Sequence, residues 1–222
     1  MDKRRLLKRY VYVLFFLAGF FGGFRFIKEF LYPKIPSNID VEILVYIGVL
    51  MVSIYVFKDE LLKDIKSYKK IDLNEIVTIF LIITVIAAFF SMFMGKNQPS
   101  LQNGQQSIPK LIVMSVMMAP ILEEIFNRYG LMDILEKHVK VKNSTIIVLV
   151  AMIFALFHIV KKNVFFSFEN FRYFLIIFWL GVGCGYLYKK SNNILSAIIM
   201  HMLWNFSIVL GYVLVCIVSF VI

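Results

Sequence analysis

Two adjacent carboxylates, Glu123 and Glu124, interrupt an apolar stretch running from Ile108 to Glu136 that is otherwise fit for lipid. An ionisable side chain at the centre of a membrane helix costs at least ~2.5–3.5 kcal/mol on insertion scales, so a pair held there needs a chemical reason. Arg128 follows Glu124 at i,i+4 and shares its helical face, whereas Glu123 and Arg128 point about 140° apart. Glu124 is therefore the expected partner of the arginine. Glu123, rotated by ~100° from its neighbour, is left to face something else, and a desolvated carboxylate without a cation of its own suits the work of a general base. Pro120 lacks an N–H and loosens the turn before the pair, where the carboxylates need water.

Two further polar sites lie inside apolar runs, His158 in FALFHI and His201 with Asn205 in HMLWN. His201 and Asn205 stand at i,i+4 on one face, and Phe154, one turn before His158, can wall its ring. Counting a 1.5 Å rise from chain ends near Lys137, Asn143 and Asn193 puts Glu123, His158 and His201 roughly 21, 22 and 12 Å into the membrane. At those depths the three can meet. Two imidazoles, a carboxylate and an amide on three helices make a candidate reaction centre. Glu123 and a histidine can deprotonate a water held between them, and the second histidine with the Asn205 amide can donate to the oxyanion of a tetrahedral intermediate. That is peptide-bond hydrolysis within a membrane. The other arrangement uses Glu123, His158 and His201 as a His₂Glu zinc set with an open fourth position. HExxH is absent, so no single helix supplies two ligands. Asn205 beside His201 suits a pair of hydrogen-bond donors better than a metal ligand, and the expectation is a site without a cofactor. His138, in a loop, is given no role.

The motifs EExxxR, FxxxH and HxxxN stand here in order as Glu123-Glu124-Ile-Phe-Asn-Arg128, Phe154-Ala-Leu-Phe-His158 and His201-Met-Leu-Trp-Asn205. This ordered triple resembles the CPBP (Abi) family of CAAX proteases and bacteriocin-processing enzymes, over about residues 108 to 210. The resemblance implies an intramembrane endopeptidase of the type II CAAX-prenyl-protease class. It implies that Glu123 and His158 activate water, that His201 and Asn205 form the oxyanion site, and that Glu124, Arg128 and Phe154 support them. Members of the family are described both as metalloproteases and as metal-independent glutamate proteases, so zinc stays open on this ground. Bacterial relatives are associated with bacteriocin maturation, self-immunity and the processing of signalling peptides. The implied substrate is a short hydrophobic or amphipathic peptide precursor.

Such a site needs helices that cross lipid, and the composition provides them. Of 222 residues, 60% are hydrophobic and 17% charged, against roughly 45–50% and about 25% in a soluble domain. A soluble globular protein is excluded. Apolar runs at about 10–32, 41–57, 75–95, 108–136, 144–160, 171–188 and 193–222 predict an all-α polytopic bundle of seven helices, or eight if the last run divides near Gly211. One membrane domain uses the whole chain, with residues 1–107 free of motifs and 108–210 forming the core. The start, Met1 to Tyr10, resembles the charged region of a signal peptide, but the apolar run continues without a cleavage signal and is read as an uncleaved span.

The net charge of +10 would ordinarily raise nucleic acid as a partner. Position decides otherwise. Lys3 to Arg9, Lys58 to Lys70, Lys137 to Lys142 and Lys189 with Lys190 are blocks between apolar runs, with Lys161 and Lys162 the exception to their alternation. They place the N-terminus in the cytoplasm and meet anionic lipid. The partners expected are a peptide or membrane-protein substrate and membrane lipid. Leu61, Leu62, Ile65 and Tyr68 recur at helical spacing among lysines and predict a helix lying on the inner surface, followed by a capping box at Asp72 and Glu75. Gly19/Gly23 and Gly181/Gly185 have the GxxxG spacing of close helix approach. Arg25 is placed to snorkel, 96–107 reads as an external loop, and Cys184 and Cys216 read as buried thiols without a disulfide. The predominance of lysine over arginine and the 23 phenylalanines point to an AT-rich coding sequence and so to a bacterial cell membrane. Two other functions fit the composition. One is a non-enzymatic immunity or scaffold protein of the same fold. The other is a proton-coupled transporter, for which the sequence carries neither an inverted repeat nor paired broken helices.

Overall fold

The computed structural model describes residues 3–19, 40–93, 107–160 and 168–221. Gly23, Arg25, Lys161, Lys162 and the segment 96–106 lie outside the described residues. Regular structure within them is helical throughout: α1 Lys3–Ala18, α2 Val41–Val56, α3 Lys58–Lys66, α4 Leu73–Phe93, α5 over residues 108–138, α6 Asn143–Val160, α7 Phe168–Ser191 and α8 Ile194–Val221. Three helices have the length and apolarity to cross a membrane, at Leu73–Met92, Asn170–Ser191 and Ile194–Val218. A fourth span is present if α2 and α3, bent by 82°, count as one broken span, and α6 is apolar but shorter. The last apolar run is one unbroken helix of 28 residues, with Gly211 inside it.

Phe57 is fully buried at the corner between α2 and α3, edge-on to Tyr12 at 4.9 Å. Beyond it α3 leaves the direction of α2. Leu62, Ile65 and Tyr68 stay exposed among the lysines, the pattern of a helix lying along a membrane surface. Asp64 alone of the acidic residues on α3 is buried. Its Oδ2 accepts from Tyr129 Oη at 2.8 Å and from the Ile194 backbone N–H at 2.6 Å, closing the first turn of α8. Asp72 Oδ1 caps the Glu75 N–H at 3.2 Å, half of the expected capping box. The other half is missing because the Glu75 carboxylate is drawn across to α7, where it accepts from Tyr186 Oη and pairs with Lys190.

Without a hydrophobic drive between helices in lipid, small residues decide how closely backbones pack. A Cβ at Gly181 would lie 3.1 Å from Ala151 Cα, and one at Gly185 would lie 3.0 Å from Ile147 Cγ2, so the second GxxxG pair does let α7 close on α6. The first pair gives no such contact within the described residues, Gly19 having open space around it. Gly183 opens the opposite side of α7 to Ile79 and Ile83 of α4, an approach no spacing signalled. Cys184 is buried with its thiol toward Ala197 O, while Cys216, expected in the core, is only half-buried near the end of α8; both are free.

The helix that carries the carboxylates is not uniform. α5 alternates ordinary turns with two widened π segments, Ile112–Met118 and Ile125–Met132, on either side of Ala119–Glu124. In the first of these the Ala119 N–H bonds to Met114 O, five residues back rather than four. Widened turns of this kind are frequent at functional sites.

Candidate active site

α5 presents Glu123 and Glu124 in two directions, as the 100° step between neighbours requires. Glu124 Oε2 accepts from Arg128 Nε at 2.7 Å, both side chains being 0% exposed. Its other oxygen meets His201 Nδ1 at 2.9 Å. Glu124 is thus a bridge between the arginine of α5 and the imidazole of α8. The second contact was invisible in the sequence, where only the i,i+4 partner could be read. Arg128 Nη2 donates onward to Gly181 O of α7 at 3.3 Å. Buried charges hold only when paired and hydrogen-bonded, and this pair meets that condition across three helices.

Among the described residues Glu123 meets no lysine or arginine. Its Oε2 lies 3.8 Å from His158 Nε2 and 3.7 Å from His201 Nε2. These gaps exceed a direct hydrogen bond and are those that a bridging water fills. The three motifs, separated by tens of residues in the chain, converge here as their depths predicted. His158 Nδ1 faces Phe154 O at 2.9 Å, and a carbonyl only accepts, so Nδ1 carries its hydrogen and Nε2 is the atom turned to Glu123. His201 is fixed in the same sense by the Glu124 carboxylate. Phe154 walls both rings, with centroids 4.5 Å from His158 and 5.7 Å from His201. Only the first of those contacts was readable from spacing. Glu123 and His158 are 22% and 21% exposed and His201 3%, so the carboxylate is open on the side of His158 and closed on that of His201.

Asn205 is brought to α5 but not onto Glu123: its Nδ2 donates to Ser115 O at 2.7 Å. One of the two amide hydrogens expected at the oxyanion is therefore engaged. Asn127 caps the Glu123 carbonyl from within α5, Nδ2 to O at 2.7 Å. Tyr46 of α2 and Tyr173 of α7 lie close enough to sense the Glu123 charge. The Tyr173 ring stands 6.5 Å from His158. None of Ser115, Asn127, Tyr46 and Tyr173 was singled out from the sequence. The Asn127 amide, four residues from Glu123, was the only one with a readable signal.

Among the described residues no group of three His, Cys, Asp or Glu side chains is arranged to hold a metal ion. Glu123, His158 and His201, the His₂Glu set considered above, are not such a group as they stand.

Comparison with curated proteins and with solved structures gives no match. Residues 105–207 match the family described as type II CAAX prenyl endopeptidase Rce1-like. That segment runs from just before α5 into α8 and contains all three motifs, and over it the chain is similar to the Rce1-like family of type II CAAX prenyl endopeptidases.

Proposed function

We propose that the protein is a multi-pass intramembrane endopeptidase that cleaves a short hydrophobic or amphipathic peptide precursor of the signalling or bacteriocin type. The observation that carries this reading is the Glu123 carboxylate, which among the described residues meets no lysine or arginine and faces two imidazole Nε2 atoms at 3.7–3.8 Å, while its neighbour Glu124 takes up Arg128. A water between Glu123 Oε2 and His158 Nε2 gives a proton to Glu123 as its oxygen adds to the scissile carbonyl carbon. The carbonyl oxygen becomes an oxyanion. His201, its Nδ1 held by Glu124, donates to it from Nε2, together with the Asn205 hydrogen not spent on Ser115. Collapse of the tetrahedral intermediate breaks the C–N bond, and the proton held by Glu123 passes to the leaving nitrogen. Glu124 and Arg128 keep the His201 ring oriented throughout.

The basic blocks place the N-terminus and α3 on the cytoplasmic side of a bacterial membrane, and the shallow depth of His201 directs the substrate in from that face. The test compares peptides released by cells carrying the active protein with those from cells carrying Glu123→Ala or His158→Ala. A precursor processed only by the active protein is expected. Unchanged peptide profiles with correctly inserted variants would overturn the activity, and a phenotype surviving Glu123→Ala would mark a non-catalytic immunity or scaffold protein. Chelation is expected to leave cleavage unchanged. Stoichiometric zinc whose removal reversibly stops cleavage would reinstate the His₂Glu set.

A further inference from the structure

Pro120 sits mid-helix and buried, one residue after the point where α5 is wound in the widened register. Ala119 N–H bonds to Met114 O. The next donor in that register would serve Ser115 O, and the residue that should supply it is proline, which has no N–H. Ser115 O thereby loses its partner within the helix, in a region where bulk water cannot replace it. The oxygen is nevertheless satisfied. Asn205 Nδ2, from α8, donates to it at 2.7 Å.

From this match of a deleted donor with a supplied one, we infer that Asn205 is a positioning residue for Glu123: its amide replaces the hydrogen bond that Pro120 removes, and so clamps the carboxylate segment of α5 to the His201 turn of α8. The clamp works with a second one. His201 Nδ1 meets Glu124 at 2.9 Å one turn earlier on the same face of α8. A single tie would let α8 pivot about its contact with α5. Two ties, at Ser115 and Glu124, fix rotation as well as separation, and Glu123 with its 3.7 Å gap to His201 adjoins the second of them. Proline thus has two effects on the helix. It loosens the winding ahead of the carboxylates, and it exposes the carbonyl by which the neighbouring helix takes hold. The oxyanion role of Asn205 proposed above uses its other hydrogen, and the clamp stands whether or not that role does.

The test is a double-mutant cycle on the full-length protein in detergent: Pro120→Ala, which returns an N–H to the helix, Asn205→Leu, which removes the amide at similar volume, and the two combined. Unfolding is followed by titration with a denaturing detergent, and kcat and KM are measured on a fluorogenic apolar peptide. Leaving a buried acceptor unpaired is expected to shift the unfolding equilibrium of Asn205→Leu by about tenfold. Its kcat should fall with KM little changed. In the Pro120→Ala background the unfolding penalty should largely vanish and the kcat penalty should shrink to the cost of losing the oxyanion hydrogen alone, and Asn205→Gln, which keeps the donor, should recover part of each. Equal penalties in the two backgrounds would overturn the inference and leave Asn205 as an oxyanion donor only. If Asn205→Leu does not fold alone, its folding in the Pro120→Ala background is the expected result, and failure there too would overturn it. A peptide left uncleaved by the unaltered protein counts against the proposed activity, and the unfolding cycle then decides on the clamp alone.

Discussion

Near one end of the bundle, Arg9 of α1 pairs with Asp133 of α5 and with Glu60 of α3, and donates to Tyr129 O at 2.9 Å. Beside it Asp64 gathers Tyr129 and the first turn of α8. Deeper in the bundle, Arg128 pairs with Glu124, which also holds His201. Both clusters bury an arginine, join several helices and lie partly on α5. They differ in one respect. At the helix ends each of the buried charges Arg9 and Asp64 is met by an opposite charge or by hydrogen-bond donors. In the deeper cluster Arg128, Glu124 and His201 are paired with one another, with only Arg128 Nη1 left over, and they stand next to Glu123, which among the described residues has imidazoles around it and no lysine or arginine. Closed networks hold helices together, and the open group beside one is where the proposed proton transfer would take place.

That contrast can be broken by substitution, with the largest effect expected at the open group. Glu123→Gln should lower cleavage by about 10²–10⁴-fold with little change in unfolding midpoint, measured on equal amounts of inserted protein. A large loss of stability instead would make Glu123 a structural residue. Glu124→Leu leaves Arg128 buried and unpaired and should destabilise by about 3–5 kcal/mol. The double variant Glu124→Leu with Arg128→Met should recover most of the stability and none of the cleavage, because His201 still lacks its orienting acceptor. Recovery of cleavage would show that Glu124 acts only as a counter-charge. In the closed cluster, Asp64→Ala strips the acceptor from Tyr129 and Ile194 and should cost about 1–3 kcal/mol, while cleavage per folded molecule stays unchanged.

The smallest effect lies at an ion pair outside both clusters, which Lys110 makes with Asp40 and with Glu42. Lys110 Nζ meets Asp40 Oδ2 at 2.7 Å, and its hydrogen bond holds the Asp40 carboxyl below the usual aspartate range. A lowered folded value means that the contribution is present above the ordinary aspartate pKa and lost as pH falls through the lowered one. Lys110→Met should therefore lose a slight stability at neutral pH and show no further difference from the unaltered protein once acid has protonated Asp40. A constant difference at all pH values would show that Lys110 acts by packing.

Helix geometry alone assigned Arg128 to Glu124 and turned Glu123 away, and simple depth counting brought three helices to one point. Those readings rest on local winding and rise, which sequence carries. The contacts that tie the site to its neighbours do not. His201 to Glu124 and Asn205 to Ser115 depend on how α8 crosses α5, and no spacing within either helix encodes it. Asp64 reads as a solvated charge among lysines, yet the 82° turn after α2 buries it. Apolar runs overstated what is regular: one of them became the broken α5, whose two widened turns were not foreseen beyond the loosening at Pro120.

Those widened turns also give α5 slack. A wide turn holds a residue more than an ordinary one, so losing a single residue between Ile112 and Met118 can be absorbed by rewinding to 3.6 residues per turn, with both flanks keeping their azimuth. The same loss between Ala119 and Glu124 has no reserve to draw on and would swing the carboxylate pair by ~100° against the histidines. Length changes in this helix are therefore tolerable beside the chemistry and ruinous within the six residues that carry it.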